Sequence, residues 1–207
     1  NMAITNYTEL KSSVAGWLNR DDLTTQIPDF IRLAESFISD ELRHWRGEKR
    51  AETTLDGQFI GLPSDWVETI RLHTNAGGTG DMRYLSRAQM QSMRAANEDA
   101  SGAPEFYTHN AGQLELYPTP DGNYSADLAY YADAGALSDS NTTNWVLTKY
   151  PDIYLYGTLL QAGMYLMDTE MEQRWAALYR AAVDRANRNS RKSVASGSGL
   201  KMTIRGY

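Results

Sequence analysis

The stretch YPDIYLYGTLLQAGMYLM, Tyr150 to Met167, decides the architecture. Pro151 suits the first turn of a helix, where its missing N–H has no intrahelical partner to lose. Beyond it Ile153, Leu155, Tyr156, Leu159, Leu160, Met164 and Leu166 fall on nearly every face of a helical period. A helix that is apolar all round must be covered all round, so this one is predicted at the centre of a bundle. Its neighbours have to come from both ends of the chain.

On the C-terminal side, Asp168-Thr169-Glu170 makes a short turn and a new helix N-terminus. The last helix is predicted from Glu170 to about Lys192, with Trp175, Leu178, Tyr179, Ala182, Val183 and Ala186 on one stripe. At roughly 100° per residue, Arg174, Arg185, Arg188 and Lys192 gather on a strip beside that stripe, a basic flank next to a packed face. On the N-terminal side, ELKSSVAGWLN after Asn6 or Thr8 places Leu10, Val14, Trp17 and Leu18 at helical spacing. A second helix is better marked: Thr24 or Thr25 to cap, Pro28 in the first turn, and an apolar stripe through Ile27, Phe30, Ile31, Ala34, Phe37, Ile38, Leu42 and Trp45. It is expected to end near Arg46.

Between these helical ends, from about Lys49 to Asp133, the apolar period changes from helical to alternating. AETTLDG, QFIGLP, ETIRLHT, EFYTHN, QLELYP and YSADLAYYAD are short, rich in Tyr, Thr, Ile and Leu, and bounded by Gly, Pro, Asn or Asp. They read as antiparallel strands. EFYTHNAGQLELYP is the clearest hairpin, because Asn110-Ala111-Gly112 offers residues tolerant of positive φ between two alternating runs. One helix interrupts the region, SRAQMQSMRAAN with Ser86 as its cap. The fold expected is therefore α+β: N-terminal bundle helices over 1–48, an inserted antiparallel β-rich region with one short helix over 49–140, C-terminal bundle helices over 141–192, and a flexible arm over 193–207.

That arm reads SVASGSGLKMTIRGY. Small residues lead into a run from Leu200 that alternates apolar and polar like a strand, with no later segment to pair with. It is either a disordered terminus or a tethered docking arm. Charge is unevenly spread along the chain. From Arg174 onward eight basic residues stand against Asp184 alone, a net +7, which leaves −13 for residues 1–173 out of the overall −6. A basic end for meeting a partner and an acidic body follow from this asymmetry.

With 207 residues, 42% hydrophobic and 22% charged, the composition is that of a folding globular chain. No apolar run reaches the roughly 18 to 20 residues that cross a bilayer, and NMAITNYTELK lacks the basic and apolar regions of a signal peptide, so use in a cytosol is expected. Zero cysteines exclude disulfides, thiolate metal sites and cysteine nucleophiles together. His44, His73 and His109 lie in unrelated contexts without metal-ligand spacing and are expected at the surface or at strand edges, with no metal or other cofactor. NAGGTGD, Asn75 to Asp81, lacks the Gly-Lys-Ser/Thr ending of a phosphate loop and reads as a hairpin tip. Asp21 with Asp22 and Glu98 with Asp99 are solvated loop charges, and no GxSxG elbow is present. No residue set supports catalysis. The tyrosines, 13 in all, cluster at Tyr124, Tyr130 and Tyr131 and at Tyr150, Tyr154 and Tyr156, fit either for an interface or for the core.

Three stretches together resemble the head-to-tail adaptor, or connector, proteins of tailed bacteriophages, the short-tailed type in particular. They are LTTQIPDFIRLAESFISDELR (Leu23–Arg43), GAPEFYTHNAGQLELYPTPDGNYSADLAYYADAGALSD (Gly102–Asp139) and YPDIYLYGTLLQAGMYLMDTEMEQRWAALYRAAVDRAN (Tyr150–Asn187). The resemblance covers about half of the chain and rests on pattern rather than on invariant chemistry. It implies a non-enzymatic virion protein: a homo-oligomeric ring of twelve copies beneath the portal protein, assembled in the host bacterial cytoplasm, carrying the tail or nozzle protein below. DNA would pass through its lumen without specific binding. It implies further that a helical bundle builds the ring, that the β-rich part faces the tail and that the C-terminal segment reaches into the portal. On that reading Gly197 and Gly199 are a hinge, Leu200, Met202, Ile204 and Tyr207 supply contacts, and Lys201 and Arg205 fix register by charge. The rival readings are a nucleic-acid-binding factor using the basic last helix, and a virion-associated hydrolase.

Overall fold

A computed structural model describes residues 4–75, 78 and 80–195. The chain divides into two compact units, a helical one built from the segments up to Gly47 and from Ala134 onward, and a β-rich one over Glu48–Asp133. The fold is α+β, with helices at both ends of the described chain and two sheets between them in sequence.

The helical unit is organised around α5, Pro151–Tyr165. Ile153, Tyr154, Leu155, Leu159, Leu160 and Ala162 are all buried, on every side of the helix, as its sequence demands. Against it pack α1, Tyr7–Leu18, α2, Ile27–Glu41, the short α4, Trp145–Lys149, and α6, Thr169–Ala195. Leu10, Val14, Phe30, Ile31, Leu147, Tyr179, Val183 and Ala186 close the core. Gly157 lets α2 and α6 approach closely: a Cβ there would stand 3.2 Å from Ala34 Cβ and 3.3 Å from the Tyr179 ring.

Two helix ends differ from the sequence reading. Asn6 caps α1 as expected, its side chain accepting the Glu9 N–H at 2.9 Å. Neither Thr24 nor Thr25 caps α2; Gln26 holds the N-cap position without a side-chain bond, and the Leu23 carbonyl accepts the Gln26 and Ile27 N–H groups instead. The same helix ends at Glu41, not near Arg46. Side chains of α6 take over the backbone there: Asn187 Oδ1 accepts the Arg43 N–H at 2.8 Å, its amide donates to the Glu41 carbonyl at 3.0 Å, and Ser190 Oγ accepts the Trp45 N–H at 2.9 Å. Trp45 therefore leaves the apolar stripe for a single 3-10 turn, Trp45–Gly47, and is 40% exposed.

The β-rich unit holds two four-stranded sheets. In the first, β1 (Glu48–Leu55), β8 (Tyr124–Ala132), β3 (Trp66–Thr74) and β4 (Gly80–Asp81) lie side by side, all antiparallel. In the second the order is β2 (Phe59–Gly61), β7 (Gln113–Tyr117), β6 (Phe106–Asn110) and β5 (Arg83–Tyr84). Strands β6 and β7 form the expected hairpin, with Ala111 at φ 49° and Gly112 at φ 78° in its two-residue turn. The pair β5 and β6 is parallel, which departs from an all-antiparallel region. Its connection carries α3, Arg87–Ala96, and a parallel pair needs such a crossover. Ser86 caps that helix in a capping box with Gln89. Leu55 and Leu72 of the first sheet share one core with Leu114 and Leu116 of the second.

Candidate assembly surfaces

Helix α6 carries the basic flank, and its rotation is fixed by what its other face buries. Asp168 Oδ1 accepts the Met171 N–H at 3.0 Å and starts the helix. Trp175 stacks on Tyr156 at 5.8 Å between ring centroids and meets Trp17 edge-on at 5.4 Å. Farther along, Tyr179, Ala182, Val183 and Ala186 are buried, and Asn187 and Ser190 bind the end of α2. With those contacts made, Arg174, Arg185, Arg188 and Lys192 are all exposed. Arg185 is tied to Asp152 at the start of α5. Arg174, Arg188 and Lys192 make no ion pair among the described residues. Leu178, 40% exposed, stands between Arg174 and Arg185 on the same flank, because all three lie within roughly 40° of one another around the helix. The stripe reading had assigned Leu178 to the packed face. Outer residues of α2 make a second surface: Leu33 is 53% exposed, with Asp29 and Asp40 exposed on the same side.

The expected portal-binding residues Leu200, Lys201, Met202, Ile204, Arg205 and Tyr207 lie outside the described residues, as do Gly197 and Gly199. Helix α6 itself is described to Ala195, a 27-residue helix of about 40 Å.

Histidine placement corrects one expectation. His44 is not at the surface: it is 3% exposed, among the rings of Trp45, Trp145 and Tyr150. Its Nδ1 accepts the Arg46 N–H at 3.1 Å and its Nε2 is 3.0 Å from the Tyr150 hydroxyl. Burial first, and then the nearby charges of Arg46 and Lys149, hold it below the usual imidazole range. Nothing in the sequence next to His44 marks it as buried, because the tyrosine that meets it lies 106 positions farther along the chain. His109 is half-buried in the β-rich unit, in ring contact with Trp66, Tyr84 and Tyr107, and burial followed by the charge of Arg87 lowers its pKa too. Thr69 Oγ1 accepts the Trp66 indole N–H at 3.0 Å, which leaves its own proton for His109 Nε2 at 3.0 Å. His73 lies 2.7 Å from Asp81 across the β3–β4 pair.

Of the clustered tyrosines, Tyr130, Tyr150 and Tyr154 are core residues, at 4%, 7% and 1% exposure, which decides for packing over an interface role. Among the described residues, the tyrosines most open to solvent are Tyr84 and Tyr165. Asp21, Asp22, Glu98 and Asp99 are exposed loop residues. Among the described residues no group of three or more His, Cys, Asp or Glu could hold a metal ion, and no helix is long and apolar enough to cross a membrane.

The helical unit thus combines a buried polar pair, His44 with Tyr150, a basic flank on α6 and exposed apolar side chains among charges. No curated protein matches the chain. The family model for the SU10 adaptor protein matches residues 5–201, nearly the whole of it, in agreement with the resemblance read from the sequence. The chain belongs to the SU10 adaptor protein family, and is a structural adaptor of a bacteriophage.

Proposed function

We propose that the chain is the head-to-tail adaptor of its virion: twelve copies form a ring beneath the portal protein at the capsid vertex, carry the tail or nozzle protein below, and leave a channel for DNA. The single observation that carries this reading is the adaptor-family match over residues 5–201. The work is mechanical and needs no cofactor and no bond-breaking. A conduit must let a polyanion pass without sticking, and the net −13 of residues 1–173 suits a lumen lined by carboxylates. Assembly takes place in the host bacterial cytoplasm, and the product stays at the head–tail junction.

Within that ring the helical unit supplies the subunit contacts, the β-rich unit meets the tail, and the segment after Ala195 enters the portal. A long helix gives a stiff base for such a segment, and Gly197 and Gly199 give it freedom to turn. Leu200, Met202, Ile204 and Tyr207 then add to a sheet edge or fill a groove on the portal, with Lys201 and Arg205 setting register. Twelve arms on one ring convert weak individual contacts into durable attachment through effective concentration.

The test is co-sedimentation with purified portal rings. Full-length protein is expected to pellet with portal, and a chain lacking Leu200–Tyr207 is expected to keep its helical content and thermal transition but remain in the supernatant. Equal attachment of the shortened chain would overturn the docking role of the arm. A full-length protein that ignores portal yet binds DNA with steep salt dependence would favour the nucleic-acid reading instead.

A further inference from the structure

Helices α2 and α6 carry outward-facing strips that match each other in spacing and oppose each other in charge. On α2 the strip runs Asp29, Leu33, Ser36, Asp40, at intervals of four, three and four, with Phe37 at its margin. Leu33 is 53% and Phe37 37% exposed, and Asp29, Ser36 and Asp40 are exposed with them. On α6 the same intervals give Arg174, Leu178, Ala181, Arg185, all exposed, with Arg188 and Lys192 continuing the flank. Each strip is a charged residue, a leucine one turn on, a small residue after that, and a second charge of the same sign one turn farther. Opposite charges border each strip: Arg32 on α2, roughly 60° or more around the helix from Asp29 and Asp40, and on α6 both Glu170, one turn before Arg174 and roughly 40° around from it, and Asp184, roughly 80° or more from Arg174 and Arg185.

The two strips do not meet within one chain. Helix α6 touches the end of α2 through Asn187, and the Arg174–Arg185 strip lies roughly 150° around the helix from that residue. Asp29 and Asp40 make no ion pair among the described residues, and neither do Arg174, Arg188 and Lys192. Exposed leucines framed by charges of one sign, on two different sides of one unit, are the pattern of a heterologous contact, in which one patch of a subunit meets a different patch of the next.

We propose that the α2 strip of one copy docks on the α6 strip of its neighbour, and that this contact, repeated head to tail, closes the ring. The proposal rests on the reading of the chain as a ring-forming adaptor and names the surfaces that would form the ring. Leu33, Phe37 and Leu178 supply the apolar centre, which carries the affinity, and Ser36 and Ala181 let the helices come close. The exposed charges gain little as isolated pairs and act chiefly to steer approach and fix which patch meets which. Two copies of the same strip repel, so back-to-back pairing through α2 or through α6 is disfavoured, as a closed ring requires.

Charge reversal tests this in a way that only a head-to-tail contact satisfies. In one variant Asp29→Lys and Asp40→Lys invert α2; in the other Arg174→Glu and Arg188→Glu invert α6. Arg185 is left alone because it also holds Asp152. Asp29 lies in the first turn of α2, where the helix dipole favours an acid, so the thermal transition of each variant is recorded as well. Each variant by itself should lose ring formation on portal, seen by negative-stain microscopy and sedimentation, while far-ultraviolet circular dichroism stays unchanged. An equimolar mixture should restore it, because an alternating ring pairs every inverted strip with an inverted partner. Rings from either variant alone, or no rescue in the mixture of two folded variants, would overturn the proposal. A second measurement holds should a variant not fold: the native chain has no cysteine, so Leu33→Cys and Leu178→Cys each introduce a single thiol. Mild oxidation on portal should give cross-linked dimers when the two are mixed and none from either alone; dimers from one variant alone, or none from the mixture, would also overturn it. Wild-type protein that forms no ring on portal would refute the adaptor-ring reading itself, whereas wild-type rings with insensitive variants refute only this choice of surfaces.

Discussion

The Tyr150 hydroxyl stands 3.0 Å from His44 Nε2 in the interior of the helical unit, and the other ring nitrogen accepts the Arg46 N–H. Acceptance at Nδ1 puts the proton of the neutral ring on Nε2, so the imidazole donates to the tyrosine oxygen. A second proton could only go to Nδ1, against an N–H already pointing at it.

A pH dependence of stability follows. The folded-state pKa of His44 is depressed, by burial and then by Arg46 and Lys149, so the unfolded chain takes up the proton first. The stability that depends on a neutral ring is present above the unfolded value of about 6.5 and is lost as pH falls through the lower folded value. His109 is depressed as well, so the comparison needed is wild type against His44→Gln by urea denaturation at each pH. The gap between the two should narrow from pH 7.5 to pH 5; a constant gap would show that the folded and unfolded chains take up the His44 proton alike, and that its pKa is not depressed by folding. Tyr150→Phe, which strands the buried Nε2–H, should cost about 1–3 kcal/mol at pH 7.5.

Gly163 is required by the approach of α6 to α5. A Cβ at this position would stand 3.1 Å from the Glu172 backbone nitrogen and 3.3 Å from its Cα, and backbone cannot swing aside as a side-chain tip can. Alanine is the better helix former by up to about 1 kcal/mol, yet the crowding works against it. Gly163→Ala is expected to lower stability by about 1–3 kcal/mol, read as a fall in the thermal midpoint. A rise would mean that the two helices separate at little cost.

Met167 shows the opposite case. It holds φ 55° just after α5, where the Met167 N–H bonds the Met164 carbonyl and the Asp168 N–H bonds the Gly163 carbonyl. This paired closure calls for a left-handed residue, and glycine adopts that conformation without a side-chain clash. The methionine side chain is 91% exposed, so little packing is lost by removing it. Met167→Gly should therefore raise stability by about 1 kcal/mol, measured by chemical denaturation.

Much of the fold was legible because the period of the apolar residues is unambiguous. The all-round apolar pattern of Ile153 to Leu160 placed α5 at the centre, and Asn110-Ala111-Gly112 placed the hairpin turn. What escaped depended on contacts between distant segments. The end of α2 is decided by Asn187 and Ser190, more than 140 residues away, and no local signal near Glu41 announces them. The parallel pairing of β5 with β6 involves two-residue stretches too short to show a period. On the candidate surface of α6, helical spacing put Arg174, Arg185, Arg188 and Lys192 on one exposed flank, but the same spacing assigned Leu178 to the core, since an apolar residue at the edge of a stripe can face either way.

The last prediction concerns the β-rich unit, where Glu115 is 8% exposed and bonded to three side chains. Arg94 Nε donates to it at 2.7 Å, Asn110 at 3.0 Å and Gln58 at 3.3 Å. Burial pushes the carboxyl pKa up, but these hydrogen bonds and the guanidinium charge outweigh it and hold the group below its ordinary value. Its contribution is thus present above the unfolded pKa of about 4.3 and lost as pH falls through the folded value. Glu115→Gln should cost about 3 kcal/mol at neutral pH, because the guanidinium, with only 17% of its side chain exposed, loses its counter-charge. The deficit relative to wild type should shrink below pH 4. Arg94 also donates to the Leu116 carbonyl and to Thr119 Oγ1, a forked set that a lysine ammonium cannot reproduce. Arg94→Lys should accordingly recover less than half of the stability lost in Arg94→Ala; full recovery would reduce the arginine to a point charge and remove the geometric part of the argument.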